Sequence, residues 1–367
     1  MKNALLFISL LFVLGACGQK QEKSEAIRFL IGTTDKSDSS GVSVARLDPE
    51  SGEISFEGFT PTAPGPGYLT FSPDKNAVFI VTGDQMVSSY RFSDGELTLI
   101  GSQPAHGLNP CHVAVLPSGK MIFVSNYSDG SFSAYAVEDG YQLSEAIYTE
   151  KYEGSGPHET RQQKPHAHCS TVTPDGRYVY TADLGTDRVM NYRVEGSEIR
   201  PNAEQPFFAV HPGAGPRHLL VHPSGKYLYL LNELDATITA ARIDENGVLQ
   251  TLETYHTMES GENEPGNTSA AIRLHPNGNF LYVSNRGYNA IHGFKIETDG
   301  KLTRVNEVRE GIAVPRDFNI DPSGRYLIVG NQGTHDLTVL TVDPNTGELA
   351  YKAQAGPVKS PSCIEFF

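Results

Sequence analysis

Residues Ser170 to Leu184 read STVTPDGRYVYTADL, in which a short strand-like run, a Pro-Asp-Gly turn and a run of alternating apolar residues follow one another. Alternation with a period of two is typical of a half-buried β-strand, and Pro-Asp-Gly between two such runs favours a tight turn. The stretch therefore predicts an antiparallel hairpin that turns at Pro174.

The same hairpin pattern occurs six times along the chain. The segments are YLTFSPDKNAVFIVTG, HVAVLPSGKMIFVSNY, STVTPDGRYVYTADL, HLLVHPSGKYLYLLNEL, IRLHPNGNFLYVSNRG and FNIDPSGRYLIVGNQG. Their turn prolines are Pro73, Pro117, Pro174, Pro223, Pro276 and Pro322, at intervals of 44, 57, 49, 53 and 46 residues. The chain is therefore an array of repeated units.

Each hairpin is followed by a third alternating run and by a more polar fourth, so one unit supplies four short strands. Four antiparallel strands per unit of this length predict the blade of a β-propeller. A helical solenoid is excluded, because no unit contains a ten-residue pattern with the 3.6-residue period of a helix.

The two ends of the chain complete the ring. The segment SPSCIEFF at residues 360–367 resembles the first strand of a unit, whereas IRFLIGTT, GVSVARLD and EISFEGF supply three strands with no first strand before them. Pairing the ends gives one split blade and leaves no open sheet edge. We therefore predict an all-β, seven-bladed propeller over residues 26–367, a single domain with about 49 residues per blade.

The first residues have the pattern of an export signal. Lys2 precedes an apolar run at residues 4–16, which is too short to span a bilayer and ends with small residues before Cys17. This pattern predicts a lipoprotein signal peptide at residues 1–17, with Cys17 acylated, and a solvated tether at residues 18–25. A plain signal peptide with a chance cysteine is the alternative. We expect an exported protein on the periplasmic side of an inner or outer bacterial membrane, which it contacts through the lipid anchor alone.

Charge and cysteine content narrow the function classes. The chain has 43 acidic against 29 basic residues, which argues against a nucleic-acid-binding surface. Without Cys17, three cysteines remain, and an odd number cannot all pair. Their strand-like surroundings favour buried free thiols over a disulfide framework or a metal site.

Differences between the repeats identify candidates for function, because a feature shared by every unit belongs to the scaffold. Six residues before the turn proline stand Gly67, Cys111, His168, Arg217, Ala270 and Arg316. Nine residues after it stand Thr82, Asn126, Asp183, Asn232, Asn285 and Asn331. Ten residues after it stand Gly83, Tyr127, Leu184, Glu233, Arg286 and Gln332. An antiparallel hairpin brings these three positions to one end, so they ring one mouth of the central channel.

The position nine residues after the proline holds Asn or Asp in five of six units, which indicates a turn-capping role. The other two positions vary, and the variation concentrates His168, Arg217, Glu233, Arg286 and Arg316 at one rim. Salt bridges between blades would explain any one of these residues alone. Five together around a concave opening favour a binding or catalytic site.

Two histidines lie close together at the start of the third repeat. His166 and His168 face the same side if both lie on a strand, and with Asp183 they could hold a metal. The alternative is a hydrogen-bonded histidine that orders the next blade. We favour no metal, because spacing defines no third ligand.

Seven short motifs surround the selected residues: PHAH at 165–168, DLGTDRV at 183–189, GAGPRHLLVHP at 213–223, NEL at 232–234, SNRG at 284–287, VPRDFNIDPSG at 314–324 and NQG at 331–333. In these motifs the sequence resembles the seven-bladed propeller lactonases typified by bacterial 6-phosphogluconolactonase, with the fungal carboxymuconate lactonizing enzymes as relatives. The resemblance covers nearly the whole mature chain and implies active-site roles for His168, Arg217, Glu233 and Arg286. We assign substrate binding to His166, Arg316, Asp183, His218 and Gln332.

The resemblance implies hydrolysis of a sugar-acid lactone. We expect a monomer that uses no cofactor. His168 or Glu233 would activate water, and Arg217 and Arg286 would hold an anion and stabilise the oxyanion. The alternatives are a lactone-forming cycloisomerase of the muconate type and a propeller that binds a small molecule or a protein without catalysis. Export distinguishes this chain from the cytoplasmic phosphogluconolactonases, so the lactone and its phosphorylation remain open.

Overall fold

The computed structural model describes residues 26–37, 40–261 and 263–367. These residues form seven antiparallel sheets, and the first strand of each sheet packs against the first strands of its neighbours around a central channel. The predicted all-β propeller with its blade count is therefore confirmed for the described part of the chain. None of the described residues belongs to an apolar helix of bilayer-spanning length.

The strands have the same order in every blade, from the channel to the rim. The innermost strands are β4 (Tyr68–Phe71), β8 (Pro110–Val115), β12 (Ala167–Val172), β17 (Pro216–Val221), β21 (Thr268–Leu274), β25 (Pro315–Ile320) and β29 (Pro361–Phe366). The second strands are β1 (Ile27–Thr33), β5 (Ala77–Val81), β9 (Met121–Asn126), β13 (Tyr178–Asp183), β18 (Tyr227–Asn232), β22 (Phe280–Arg286) and β26 (Tyr326–Asn331).

The outer half of each blade follows the same pattern. The third strands are β2 (Gly41–Leu47), β6 (Met86–Ser93), β10 (Ser131–Val137), β14 (Arg188–Glu195), β19 (Thr237–Ile243), β23 (Ala290–Ile296) and β27 (Asp336–Val342). The rim strands are β3 (Ile54–Pro61), β7 (Glu96–Pro104), β11 (Leu143–Lys151), β15 (Glu198–Pro201), β16 (Phe207–Ala209), β20 (Leu249–His256), β24 (Leu302–Val308) and β28 (Leu349–Ala355). A 3₁₀ turn at Asp139–Tyr141 precedes β11.

The hydrophobic core lies between the faces of adjacent blades. Second strands such as β9 are buried at every position, because a neighbouring blade covers each of their faces. Rim strands such as β11 instead alternate between partly buried and exposed residues. Phe123 and Phe132 of one blade pack with Val179 and Tyr192 of the next. Burial of apolar surface between blades therefore holds the ring together.

The split blade has the predicted composition, with strand order β29-β1-β2-β3. β29 pairs antiparallel with β1, with Phe29 opposite Phe366 and Ile31 opposite Ile364. The C-terminal strand therefore occupies the innermost position of a blade whose other strands come from the N-terminus. Residues 1–25, including Cys17, lie outside the described part of the chain.

The remaining cysteines are free thiols, as predicted. Cys169 and Cys363 are buried, whereas Cys111 is partly exposed.

Candidate active site

The innermost hairpins share a β-bulge near the mouth of the channel. In the fourth repeat, Pro216 pairs with Asn232 and His218 pairs with Leu231, so Arg217 is an extra residue between two ladder pairs. The same irregularity leaves Cys111, His168 and Arg316 unpaired in β8, β12 and β25. A bulge locally twists a strand and redirects the side chain of the extra residue. The repeat position six residues before the proline is therefore the bulge position, which explains why its side chains face the channel mouth.

A left-handed residue often stands two positions before the bulge. Gly215 has φ +70° and precedes Arg217, while Val314 has φ +51° and precedes Arg316. Glycine adopts this conformation freely, but in a β-branched valine it stores strain. Strain at Val314 is consistent with a surrounding structure that holds Arg316 in place.

The bulge residues and the ends of the second strands surround a cavity of about 270 Å³. Its lining includes all five rim residues selected from the repeats: His168, Arg217, Glu233, Arg286 and Arg316. It also includes Thr34, Lys36, Cys111, Tyr127 and Arg161, which the sequence analysis did not select as site residues. Of these, Cys111 and Tyr127 occupy the variable repeat positions, whereas Arg161 lies in the connection between β11 and β12.

Glu233 is the centre of an ion-pair cluster. Its Oε2 lies 2.8 Å from Nε of Arg217, and its Oε1 lies 2.6 Å from Nη2 of Arg161 and 3.2 Å from Nη2 of Arg286. Burial opposes ionisation of Glu233, but the three guanidinium charges outweigh it and lower its pKa to about 2. Glu233 therefore stays ionised and orients the arginines.

Positive charge exceeds negative charge in the cavity. Among the described residues that line it, Glu233 is the one carboxylate, against four arginines and Lys36. Arg217 is 2% exposed and donates Nη1–H to the carbonyl of Ala270. Burial and the charge of Arg286 lower its pKa to about 9, although Glu233 acts in the opposite direction. A cavity of this kind concentrates anions, even in a chain with a formal net charge of −14.

His168 lies on the wall of the same cavity as a neutral imidazole. Burial, together with the charges of Arg217, Arg316 and Arg286, lowers its pKa well below the usual value. Within the described part of the chain, its Nδ1 is buried without a hydrogen-bond partner. The ring of Tyr127 contacts it edge-on, with centroids 5.6 Å apart. An unprotonated imidazole in a cationic cavity can accept a proton from water.

The other predicted substrate-binding residues lie outside this cavity lining. His166 stacks on Tyr127 and its Nδ1 lies 2.8 Å from the Tyr127 carbonyl oxygen. Gln332 donates to the hydroxyl of Thr34, which itself lines the cavity. These two residues therefore support the wall of the cavity from behind.

The carboxylate of Asp183 accepts hydrogen bonds at the end of its own hairpin and does not line the cavity. Its Oδ1 accepts the backbone N–H groups of His166 and Gly185, and its Oδ2 accepts the hydroxyl of Thr186. These are the contacts of a turn cap, the role predicted for this repeat position. Across the described ranges, no three His, Cys, Asp or Glu side chains are grouped so that they could hold a metal.

His218 lines a different cavity. Because it follows the bulge residue, its side chain joins His112 and Cys169 around a space of about 380 Å³ further along the channel. Cys169 Sγ lies 3.3 Å from Nε2 of His112. The rings of His168 and His218 meet edge-on at 5.2 Å, so the imidazoles separate the two cavities.

Comparison with known proteins identifies a family for this chain independently of the site geometry. A family model described as "Lactonase, 7-bladed beta-propeller" matches residues 28–366. A 6-phosphogluconolactonase of Bacillus subtilis strain 168 is 30% identical over 345 residues, which is 92% of this chain and 97% of that protein. A 6-phosphogluconolactonase of Formosa agariphila is 30% identical over 351 residues, covering 92% and 99%.

Solved structures give the same result. The structure of a periplasmic gluconolactonase from Pseudomonas aeruginosa matches with a TM-score of 0.87 and 29% identity, covering 93% of this chain and 99% of that chain. The fold is therefore shared over almost the whole described domain.

Proposed function

The chain belongs to the seven-bladed β-propeller lactonase family, and on this basis we propose that it is a carboxylic ester hydrolase that opens the ring of a sugar-acid lactone. The 6-phosphogluconolactonases of Bacillus subtilis and Formosa agariphila match over more than nine-tenths of the chain. The observation that carries the proposal is one cavity in which a neutral imidazole and a ring of guanidinium groups face the same space.

Lactone hydrolysis needs a nucleophilic water and a stabilised oxyanion. His168 accepts a proton from water as the water oxygen attacks the carbonyl carbon, because its imidazole is unprotonated and lines the cavity. The carbonyl oxygen then carries negative charge, which the guanidinium groups of Arg217 and Arg286 stabilise. The ring C–O bond breaks, the leaving alkoxide takes the proton back from His168, and an open hydroxy acid results.

We assign Glu233 an orienting role rather than that of the base. Both of its oxygens are engaged by arginines, so neither is free to accept a proton from water, whereas His168 Nδ1 has no hydrogen-bond partner among the described residues. Its negative charge keeps Arg217 and Arg286 aimed at one point and offsets part of their mutual repulsion. The reaction written in this way uses no cofactor.

The test is a steady-state assay of purified protein against phosphorylated and unphosphorylated aldonolactones, with spontaneous hydrolysis subtracted. We expect turnover of at least one lactone, and its loss in the His168→Asn variant. A parallel assay on an unsaturated diacid of the muconate type tests for a cycloisomerase, which forms a lactone by adding a carboxylate to a C=C bond without release of water. Binding of a lactone without turnover would contradict the proposal and favour a binding propeller.

We also propose that the protein is exported as a lipoprotein and that Cys17 is its acylated residue. The support is the basic start, the short apolar run and the small residues before Cys17. A monomer anchored in this way would meet a soluble lactone on the periplasmic side of the membrane.

A further inference from the structure

Arg161 is held differently from the other arginines that surround Glu233. Its side chain is 34% exposed, against 2% for Arg217 and 17% for Arg286. Arg217 and Arg286 come from strands, whereas Arg161 comes from the connection between β11 and β12 and reaches over the cavity from outside. One nitrogen, Nη2, makes both of its contacts, with Glu233 and with the hydroxyl of Tyr127 at 3.0 Å.

The backbone beside Arg161 is firmly anchored. Gln162 is fully buried, and its Nε2 donates to the carbonyl of Leu184 at 2.8 Å and to Oδ1 of Asp187 at 2.7 Å. Its Oε1 accepts the backbone N–H of His158. The connection is therefore fixed at its base, and any change of partner by Arg161 requires movement of the side chain alone.

Glu233 does not depend on Arg161 for compensation of its charge. Oε1 is shared between Arg161 and Arg286, and Oε2 contacts Arg217. When Arg161 leaves, Glu233 keeps two guanidinium partners, and Arg161 itself is partly exposed to solvent. No buried charge is left unpaired, so the energetic cost of the exchange is low.

We propose that Arg161 exchanges partners when a ligand binds: it leaves Glu233 and binds an anionic group of the substrate or product across the mouth of the cavity. The proposal rests on the proposed function for the nature of the ligand, a sugar acid or its lactone. A guanidinium suits this role because it binds carboxylate and phosphate with two parallel hydrogen bonds. The exchange also removes one positive charge from Glu233 when substrate is present.

A double-mutant cycle on equilibrium binding tests the exchange. The affinities of D-gluconate and 6-phosphogluconate are measured by calorimetry for wild type, Arg161→Met, Glu233→Gln and the double variant. In the exchange, Glu233 competes with the ligand for Arg161, so Arg161→Met should cost about tenfold more affinity in the Glu233→Gln background than in wild type. If the difference appears with both ligands, Arg161 binds the carboxylate that both carry. If it appears with 6-phosphogluconate alone, Arg161 binds the phosphate.

The opposite result would overturn the proposal. If Arg161 only braces Glu233 against Tyr127, then Arg161→Met should weaken binding in wild type and have no effect once Glu233 is replaced. Absence of binding by wild type and Glu233→Gln would overturn it as well. If Glu233→Gln does not fold, Glu233→Asp, which draws the carboxylate back by one methylene, serves as the second background.

Arg200→Met is the matched control, because Arg200 is an exposed arginine paired with Glu195 far from the cavity lining. It removes the same charge and should leave both affinities unchanged. The calorimetric cycle measures binding and not turnover, so its result is independent of the hydrolysis assay. The partner exchange of Arg161 can be refuted while lactone hydrolysis is observed, and it can be supported while no lactone is hydrolysed.

Discussion

The Nε of Arg217 lies 2.8 Å from Oε2 of Glu233, because the two residues stand at the beginning and the end of one antiparallel hairpin and so meet at its open end. Arg217 is the bulge residue of β17 and Glu233 follows the last residue of β18. Replacing Arg217 by Lys keeps a charge but loses the planar group that faces both Glu233 and the cavity. We expect Arg217→Lys to lower kcat/KM for a responsive lactone by about tenfold or more in steady-state assays. An unchanged kcat/KM would show that Arg217 neither binds the substrate nor stabilises the oxyanion.

The base is tested by a neutral substitution of His168. Because asparagine cannot accept the proton from water, His168→Asn should lower kcat by about 10²-fold or more. Thermal melting should change little, because Nδ1 of His168 has no hydrogen-bond partner among the described residues. Glu233→Gln should also lower kcat, through misdirected arginines. If both variants retain the wild-type rate, the chemistry takes place elsewhere on the ring.

The pH dependence follows from the environment of His168. Burial and the arginine charges lower its pKa, so the imidazole remains unprotonated as the pH falls through the usual histidine value of about 6.5. Glu233, with a pKa of about 2, also keeps its charge over this range. We therefore expect kcat/KM to stay level as the pH falls from 7.5 through 6.5, and to decline only well below the usual histidine value. A decline centred near pH 6.5 would mean that the essential base is a histidine outside this cationic environment.

Ring closure is tested by truncation. Deleting residues 363–367 removes most of β29, including the buried side chains of Cys363, Ile364 and Phe366. Loss of this apolar burial and of the pairing with β1 should lower Tm by about 10 °C or more. Deleting Phe367 alone leaves β29 intact and should cost less. A truncated chain that melts with the parent would show that the C-terminal strand is not needed for closure.

The strained backbone before Arg316 gives a stability prediction. Val314 is exposed and has φ +51°, a conformation that glycine adopts without strain. Val314→Gly should raise the free energy of unfolding by about 1 kcal/mol, since relief of strain exceeds the added entropy of the unfolded chain. Val314→Ala keeps a Cβ at positive φ and should gain less. Destabilisation by glycine, measured by denaturant unfolding, would contradict strain at this position.

The lipid anchor is tested by fractionation. Cys17→Ser removes the residue expected to be acylated, so the protein should leave the membrane fraction while the soluble domain keeps its melting temperature. An unchanged membrane association would mean that Cys17 is not the attachment point.

The repeat register located the channel-facing residues because each hairpin has nearly the same length from the proline to the mouth. It placed His168, Arg217 and Arg316 correctly without showing that a bulge carries them. A regular two-residue alternation in the sequence does not show where a bulge inserts an extra residue. The second cavity, which His218 lines directly after the bulge residue Arg217, could therefore not be predicted.

Arg161 and Lys36 could not be predicted in this way, since they lie in connections that are longer than the corresponding connections of other repeats. Their positions depend on local contacts such as the buried amide of Gln162, whose partners Leu184 and Asp187 lie in the next blade. The sequence shows a polar residue there, but nothing in its spacing indicates that it is buried.

The split blade also sets the end of the propeller at which the chain enters. β1 begins at Ile27, next to Arg28, whose carbonyl accepts the N–H of Phe367, and ends at Thr33, just before the cavity residue Thr34. Its seven residues span about 20 Å, so the chain enters the propeller on the side opposite the cavity mouth. If the protein is anchored through Cys17 as proposed, the anchor joins the domain at the end opposite the mouth, and nothing in the described domain requires the mouth to face the bilayer. Dissolved sugar acids could then enter and leave without passing between the protein and the lipid headgroups.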